Sequence, residues 1–124
     1  MRWIVDGMNV IGTRPDGWWK DRRGAMAGLV ERLERWAAAG GHPVTVVFEG
    51  PTTPPIASAA IQVGHAPRAA ANSADDEIVR LVQADSQPGE ITVVTSDSGL
   101  AARVRGAGAI VAPAAGFRDL IERF

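Results

Sequence analysis

The sequence predicts an α/β protein, with a mainly parallel sheet packed between helices in three α/β/α layers. Three observations lead there. The apolar runs Trp3-Ile4-Val5, Val44-Thr45-Val46-Val47-Phe48 and Ile91-Thr92-Val93-Val94-Thr95 barely alternate, as strands buried on both faces do not. Segments with apolar residues at helical spacing separate these runs, and helical crossovers are what parallel strands need. Each run also ends beside an acid: Asp6, Glu49 or Asp97.

The opening strand carries three apolar residues into Asp6-Gly7-Met8-Asn9-Val10-Ile11-Gly12. Asp6-Gly7 could be a hairpin turn with Met8 to Ile11 as the return strand. The helix that follows as the next long element argues against this. Thr13 to Gly17, with Pro15 and Gly17, forms a turn. Trp18-Trp19-Lys20-Asp21-Arg22-Arg23 leads into a helix with Met26, Leu29, Val30, Leu33 and Ala37 on one face, ended by Gly40-Gly41. At least one of Trp18 and Trp19 is expected to pack on the core.

The second strand, over 44–48, gives way to Glu49-Gly50 and a stiff loop, Pro51 to Pro55. Ala60-Ile61-Gln62-Val63 is a weaker strand candidate. His65 at its end is expected to be structural or exposed. After a loop over 66–73, a helix begins around Ala74 to Glu77 with Ile78, Leu81 and Val82 inward, and Gln87-Pro88-Gly89 ends it. Ser73 has the chemistry of its N-cap, with Asp76 in a capping-box position. Beyond the strand at 91–95, Leu100 and Val104 mark a helix closed by Gly106-Ala107-Gly108. Ala109-Ile110-Val111 is a short last strand. Gly116 to Phe124 reads as a final helix with Phe117, Leu120, Ile121 and Phe124 toward the core.

At 124 residues the chain is expected to be one domain, 1–124, large enough to bury about two-thirds of its unfolded surface. With no cysteine, disulfides and thiolate metal sites are excluded, and two histidines are too few for a histidine-based site. No apolar run reaches membrane-spanning length, and the first segment does not have the pattern of a signal peptide. A soluble, cytoplasmic protein is the expectation. A net charge of −1 provides no general positive field for nucleic acid.

In an open parallel sheet, ligands bind at the carboxyl ends of the strands, where strand order reverses. Asp6, Glu49 and Asp97 should therefore face one crevice. Asp75 and Asp76 open a helix that starts on the same edge. Alone, that pair could serve the helix dipole, Asp97 could cap a helix and Glu49 could simply end a strand. Helix caps need not follow three successive buried strands, however. Acids so gathered repel one another, and a divalent cation resolves the conflict. All-oxygen ligands indicate a hard ion, Mg²⁺ or Mn²⁺.

Val5-Asp6-Gly7-Met8-Asn9-Val10-Ile11, Ser73-Ala74-Asp75-Asp76-Glu77-Ile78 and Val94-Thr95-Ser96-Asp97-Ser98-Gly99-Leu100 resemble the three motifs of NYN domains, PIN-like metal-dependent ribonucleases, closest to the YacP-like branch. The resemblance covers nearly the whole chain. It implies a PIN-like, Rossmann-like fold and Mg²⁺- or Mn²⁺-dependent cleavage of RNA phosphodiesters, with RNA as partner. Asp6, Asp75, Asp76 and Asp97 match the family's acidic metal-site positions. Asn9 matches an asparagine that helps order the site. Glu49 departs from the pattern, since relatives often carry aspartate there.

The expected metal site is Asp6, Asp76 and Asp97, supported by Asp75 and Glu49. Ser96 and Ser98 could donate to a phosphate, with helix capping the alternative for Ser98. Since the acids repel RNA, local cations must hold it: Arg14, Lys20, Arg22 and Arg23 after the first strand, and Arg68 before Asp75. Trp18 or Trp19 would add base stacking. So few phosphate contacts imply weak binding and reliance on a larger RNA–protein assembly, with the chain itself a monomer or weak dimer. The alternatives are an RNA-binding module with weak or no activity and a metal-dependent small-molecule phosphohydrolase. A phosphoacceptor domain is a third, but it wants a lysine near the acids, and Lys20 is the chain's one lysine.

Overall fold

A computed structural model describes residues 1–67 and 72–124. Its strands are β1 (Arg2–Asp6), β2 (Val44–Phe48), β3 (Gln62–His65), β4 (Ile91–Val94) and β5 (Ile110–Ala112). They form one sheet in the order β3-β2-β1-β4-β5, with every pairing parallel. The helices are α1 (Gly7–Ile11), α2 (Arg22–Gly40), α3 (Ser73–Ala84), α4 (Ser98–Gly106) and α5 (Ala114–Ile121). α1, α2 and α5 pack with Val5, Val46 and Phe48 on one face of the sheet. α3 and α4 pack with Ile4, Val47 and Val93 on the other. The chain builds the sheet outward from β1 through β2 to β3, then restarts at β4 on the other side of β1. Strand order thus reverses between β1 and β4.

The segment Gly7–Ile11 is helical rather than the return strand of a hairpin. A Cβ on Gly7 would lie 2.5 Å from the Phe48 ring, so only glycine lets α1 start this close to β2. Met8, Val10 and Ile11 are buried from this short helix. α2 starts at Asp21, whose carboxylate accepts from the Gly24 N–H, and stops at Gly41 in the left-handed conformation (φ 66°). Near the amino ends of the strands, Trp36 stacks on His42 with ring centroids 4.1 Å apart and meets Trp3 and Phe117 edge-on.

Several boundaries and faces differ from expectation. β3 lies two residues later, at the sheet's edge, where one-sided pairing leaves its pattern polar. In α3, Ile78, Val79 and Val82 are buried and Leu81 only partly so. Ser73 is the first residue of α3 rather than its cap. The cap is Asn72, in the left-handed conformation, and the Ser73 hydroxyl is buried without a hydrogen-bond partner. α5 begins at Ala114 and ends at Ile121, which leaves Phe124 beyond the helix and exposed. Among the described residues, no helix is long and apolar enough to cross a membrane.

Candidate active site

Asp6 ends the central strand at the reversal point. It is only 5% exposed, a rare position for a carboxylate. The Thr95 hydroxyl, just past β4, donates to Asp6 Oδ2 at 2.9 Å. Burial raises the pKa of Asp6 to about 6; Thr95 opposes that rise, and Asp75, Glu49 and Asp97 add to it. Asp97 follows β4 and caps α4, with Oδ1 accepting from the Leu100 N–H at 2.9 Å. Glu49 follows β2. Asp75 sits in the first turn of α3, its pKa raised by burial and then by Asp97, with Arg103 pulling the other way.

These four acids line one cleft of about 260 Å³. Asn9 and Asn72 supply neutral polar groups, and Trp18 and Arg22 belong to its wall. The donor chemistry suits a hard cation: the hydrogen bonds described for Asp6 and Asp97 each occupy one carboxylate oxygen and leave the second unused. The acids share the cleft without converging on one point. Among the described residues, no three of them form a ready-made metal cage.

Asp76 stands apart from its expected place. It does not line the cleft; its carboxylate faces α4, where Arg103 Nη1 donates to it at 3.0 Å. Helical phase explains this. Asp75 lies three, four and seven residues before buried Ile78, Val79 and Val82, whereas Asp76 lies four and seven before exposed Arg80 and Gln83. The periodicity of α3 carried that signal, since Ile78 and Val82, both expected inward, lie three and seven residues after Asp75. Thr95, Asn72 and Arg103 were not anticipated. Thr95, at the end of the 91–95 run and two residues before Asp97, was the available hint.

Asn9 holds the neighbouring loop, with Oδ1 accepting from the Ser96 N–H at 2.8 Å. The Ser96 hydroxyl is turned elsewhere and accepts from the Ala114 N–H at 2.9 Å, outside the set that lines the cleft. Ser98 does not cap α4, because Asp97 does. His65 is structural: its ring nitrogens lie 3.2 and 3.3 Å from the carbonyl oxygens of Gly50 and Ile56.

The expected RNA-holding cations divide. Arg14 is bound to Asp119 and Glu122 on α5, and Arg23 donates to the Pro54 carbonyl at 2.7 Å. Arg22 lines the cleft, with its guanidinium carbon 5.8 Å from the centre of the Trp18 ring. Among the described residues, neither Lys20 nor Arg22 is salt-bridged to a carboxylate. Arg68 lies outside the described residues. Trp18 packs partly against the core, and Trp19 is 53% exposed.

Residues 3–124 match the family described as the YacP-like NYN domain. Among solved structures, the chain is similar to crystal structures of Rae1 (YacP) from Bacillus subtilis. With a mutant form of that protein it shares 27% identity at a TM-score of 0.79, over 99% of this chain and 78% of the other. A second Rae1 (YacP) structure gives 27% identity and a TM-score of 0.75, over 99% and 76%. No curated protein sequence matches the chain. The all-parallel sheet between helices is thus the PIN-like fold of these relatives. The chain belongs to the YacP-like NYN domain family, a family of RNA-cleaving nucleases.

Proposed function

We propose that this chain is a metal-dependent endoribonuclease that hydrolyses RNA phosphodiesters in the acid cleft, with Mg²⁺ or Mn²⁺ as its ion. The observation that carries this is the gathering of Asp6, Glu49, Asp75 and Asp97 at the strand-order reversal, with Asp6 buried there. Asp6, Asp75 and Asp97 would hold the ion, with Glu49 supporting them. When bound, a divalent cation supplies a water of lowered pKa and stabilises charge on phosphoryl oxygens. The protein's own groups do the rest. Asn9 fixes the loop that carries Asp97, and Thr95 fixes the orientation of Asp6. A carboxylate without a hydrogen-bonded partner can accept the proton of an attacking water. Arg22 offers the cleft wall a cation for phosphate, and Trp18 and Trp19 offer faces for bases.

Among the described residues, Lys20 and Arg22 are the expected cations left unpaired beside the cleft, and two cations hold RNA weakly. Target selection then rests on a larger RNA–protein assembly that this chain joins in the cytoplasm as a monomer or weak dimer.

The test is cleavage of RNA beside nucleotides, with Mg²⁺, Mn²⁺ or a chelator. Asp6→Asn and Asp75→Asn are expected to lower cleavage by about 10²–10³-fold or more, the scale of losing one preorganised electrostatic group. Asp76→Asn, outside the cleft, is expected to stay within about tenfold of the parent. Full activity of Asp6→Asn at saturating Mn²⁺ would remove the site from this reaction. Turnover of nucleotides without RNA would make the chain a small-molecule phosphohydrolase.

A further inference from the structure

A second cavity, of about 230 Å³, adjoins the acid cleft between α1, α2 and α5. Trp18 lines both spaces and is the wall between them. Val10, Leu29 and Ile121 give the second cavity apolar sides, and Asp16, Arg32 and Arg118 give it a polar rim. Its shape depends on Gly28, in the middle of α2. Glycine weakens a helix interior relative to alanine. At Gly24 there is a local reason for it, because a Cβ would collide with the capping carboxylate of Asp21. At Gly28 there is none: a Cβ there would meet nothing within 4 Å. Packing does not require this glycine, and the room it leaves belongs to the cavity.

The rim has unspent hydrogen-bonding capacity. Arg118 is 8% exposed. Its Nε donates to Glu122, Nη1 to the Ile11 carbonyl and Nη2 to Asp16 Oδ2 at 2.9 Å. The second N–H of Nη2 has no acceptor among the described residues. Arg32 follows Gly28 by one helical turn and has no hydrogen-bonded acceptor there either. The two oxygens of Asp16 accept one bond each, from the Trp18 N–H and from Arg118, so each keeps a lone pair.

We propose that this cavity is a nucleobase subsite of the RNA substrate and that it selects guanine; the inference rests on the ribonuclease reading above. Single-stranded RNA is read by splaying bases out, stacking them on aromatic rings and bonding their edges. Trp18 and the aliphatic sides suit the faces of a base, and the polar groups meet its edge. Guanine presents two acceptors, O6 and N7, beside two donors, N1–H and the 2-amino group. Arginine donates in pairs to O6 and N7, and a carboxylate accepts from N1–H and the amino group. Arg32, assisted by Arg118, and Asp16 form that complement. Adenine would set its 6-amino donor against guanidinium donors. The shared Trp18 wall puts the selected base beside the phosphodiester in the cleft.

The experiment titrates the metal-free protein with GMP, AMP, CMP and UMP by tryptophan fluorescence. In parallel, it compares cleavage of RNAs that differ only by a guanine at the cut. GMP should bind about tenfold more tightly than the others, within what one bidentate pair provides. Gly28→Leu fills the cavity and should erase that preference at an unchanged or raised thermal midpoint; Arg32→Gln should reduce it. Equal binding of the four nucleotides, or a GMP preference that survives Gly28→Leu, would overturn the subsite. RNA cleaved without base preference overturns the subsite and leaves the ribonuclease reading standing. A GMP preference lost in Gly28→Leu, with no RNA cleaved under any metal, supports the subsite and removes the ribonuclease reading.

Discussion

At the carboxyl edge of the sheet, Asp6, Glu49, Asp75 and Asp97 share a cleft with Arg22. Nearby, where α5 closes against α1, Arg14 and Arg118 are matched to Asp16, Asp119 and Glu122. The same charge chemistry yields opposite outcomes. In the α5 cluster, the hydrogen bond from Arg118 holds Asp16 below the ordinary carboxylate range. Burial works to raise Glu122, and Arg14 and Arg118 outweigh it. In the cleft, burial raises Asp6 to about 6 and the neighbouring acids push the same way. The α5 cluster interleaves arginines with its acids, whereas the cleft gathers four acids around Arg22 alone among its lining residues, at the edge where α/β sheets bind ligands.

Removing Arg118 breaks the comparison from the paired side and should have the largest effect on stability. Its guanidinium satisfies the carbonyl of Ile11 as well as Asp16 and Glu122, so its loss strands a carbonyl that burial keeps from water and unpairs two carboxylates. Arg118→Ala is expected to cost about 3 kcal/mol, the low end for a broken buried pair, because Asp16 can still reach water. Chemical denaturation measures this, and a loss under about 1 kcal/mol would mean that the cluster is ornamental to stability.

Asp6→Asn breaks the comparison from the unpaired side and should act in the opposite direction. The folded pKa, about 6, lies above the ordinary aspartate value of 3.8. Below both values the group is protonated in either state and adds no penalty. Between them the unfolded chain ionises first, so stability falls as pH rises. Above about 6 the penalty is complete and constant. The gap corresponds to roughly 3 kcal/mol, so metal-free Asp6→Asn should exceed the parent by up to that amount near neutral pH. Near pH 4 the two should nearly coincide. Denaturation curves across this range in chelator check it; parallel curves for the two proteins would place the strain elsewhere.

This asymmetry was partly legible in the sequence. Apolar runs that do not alternate gave the strong strands, because burial on both faces leaves no polar period to obscure them. The acids beyond them followed, since residues after parallel strands emerge on one edge. The short helix α1 was harder to read. Met8, Val10 and Ile11 suit a strand as well as a helix, and what decides it is the approach of Gly7 to Phe48, a contact across the fold. The choice between Asp75 and Asp76 turned on the rotation of α3, set by where Ile78, Val79 and Val82 meet the sheet. The partners of Arg14 are least legible. Asp119 and Glu122 lie more than a hundred residues along the chain, and only the docking of α5 brings them to it.

The smallest expected effect sharpens the comparison arginine by arginine. Arg14 and Arg22 both follow β1, and on sequence alone either could hold RNA. The structure gives Arg14 to two carboxylates of α5, whereas Arg22 lies on the cleft wall beside the Trp18 ring. A cation already surrounded by carboxylates has little positive potential left for phosphate, and its exposed pairs add little to stability. Arg14→Gln should therefore leave RNA affinity and its salt dependence unchanged and move the thermal midpoint only slightly. Arg22→Gln removes a countercharge that no carboxylate shares. It should weaken binding and lower the slope of log affinity against log salt by about 0.7, the contribution of one phosphate contact on a single strand. Affinity measured at several salt concentrations separates the two. If Arg14→Gln flattened the slope and Arg22→Gln did not, RNA would cross the α5 face, and the paired cluster rather than the acid cleft would be the surface that meets the phosphate backbone.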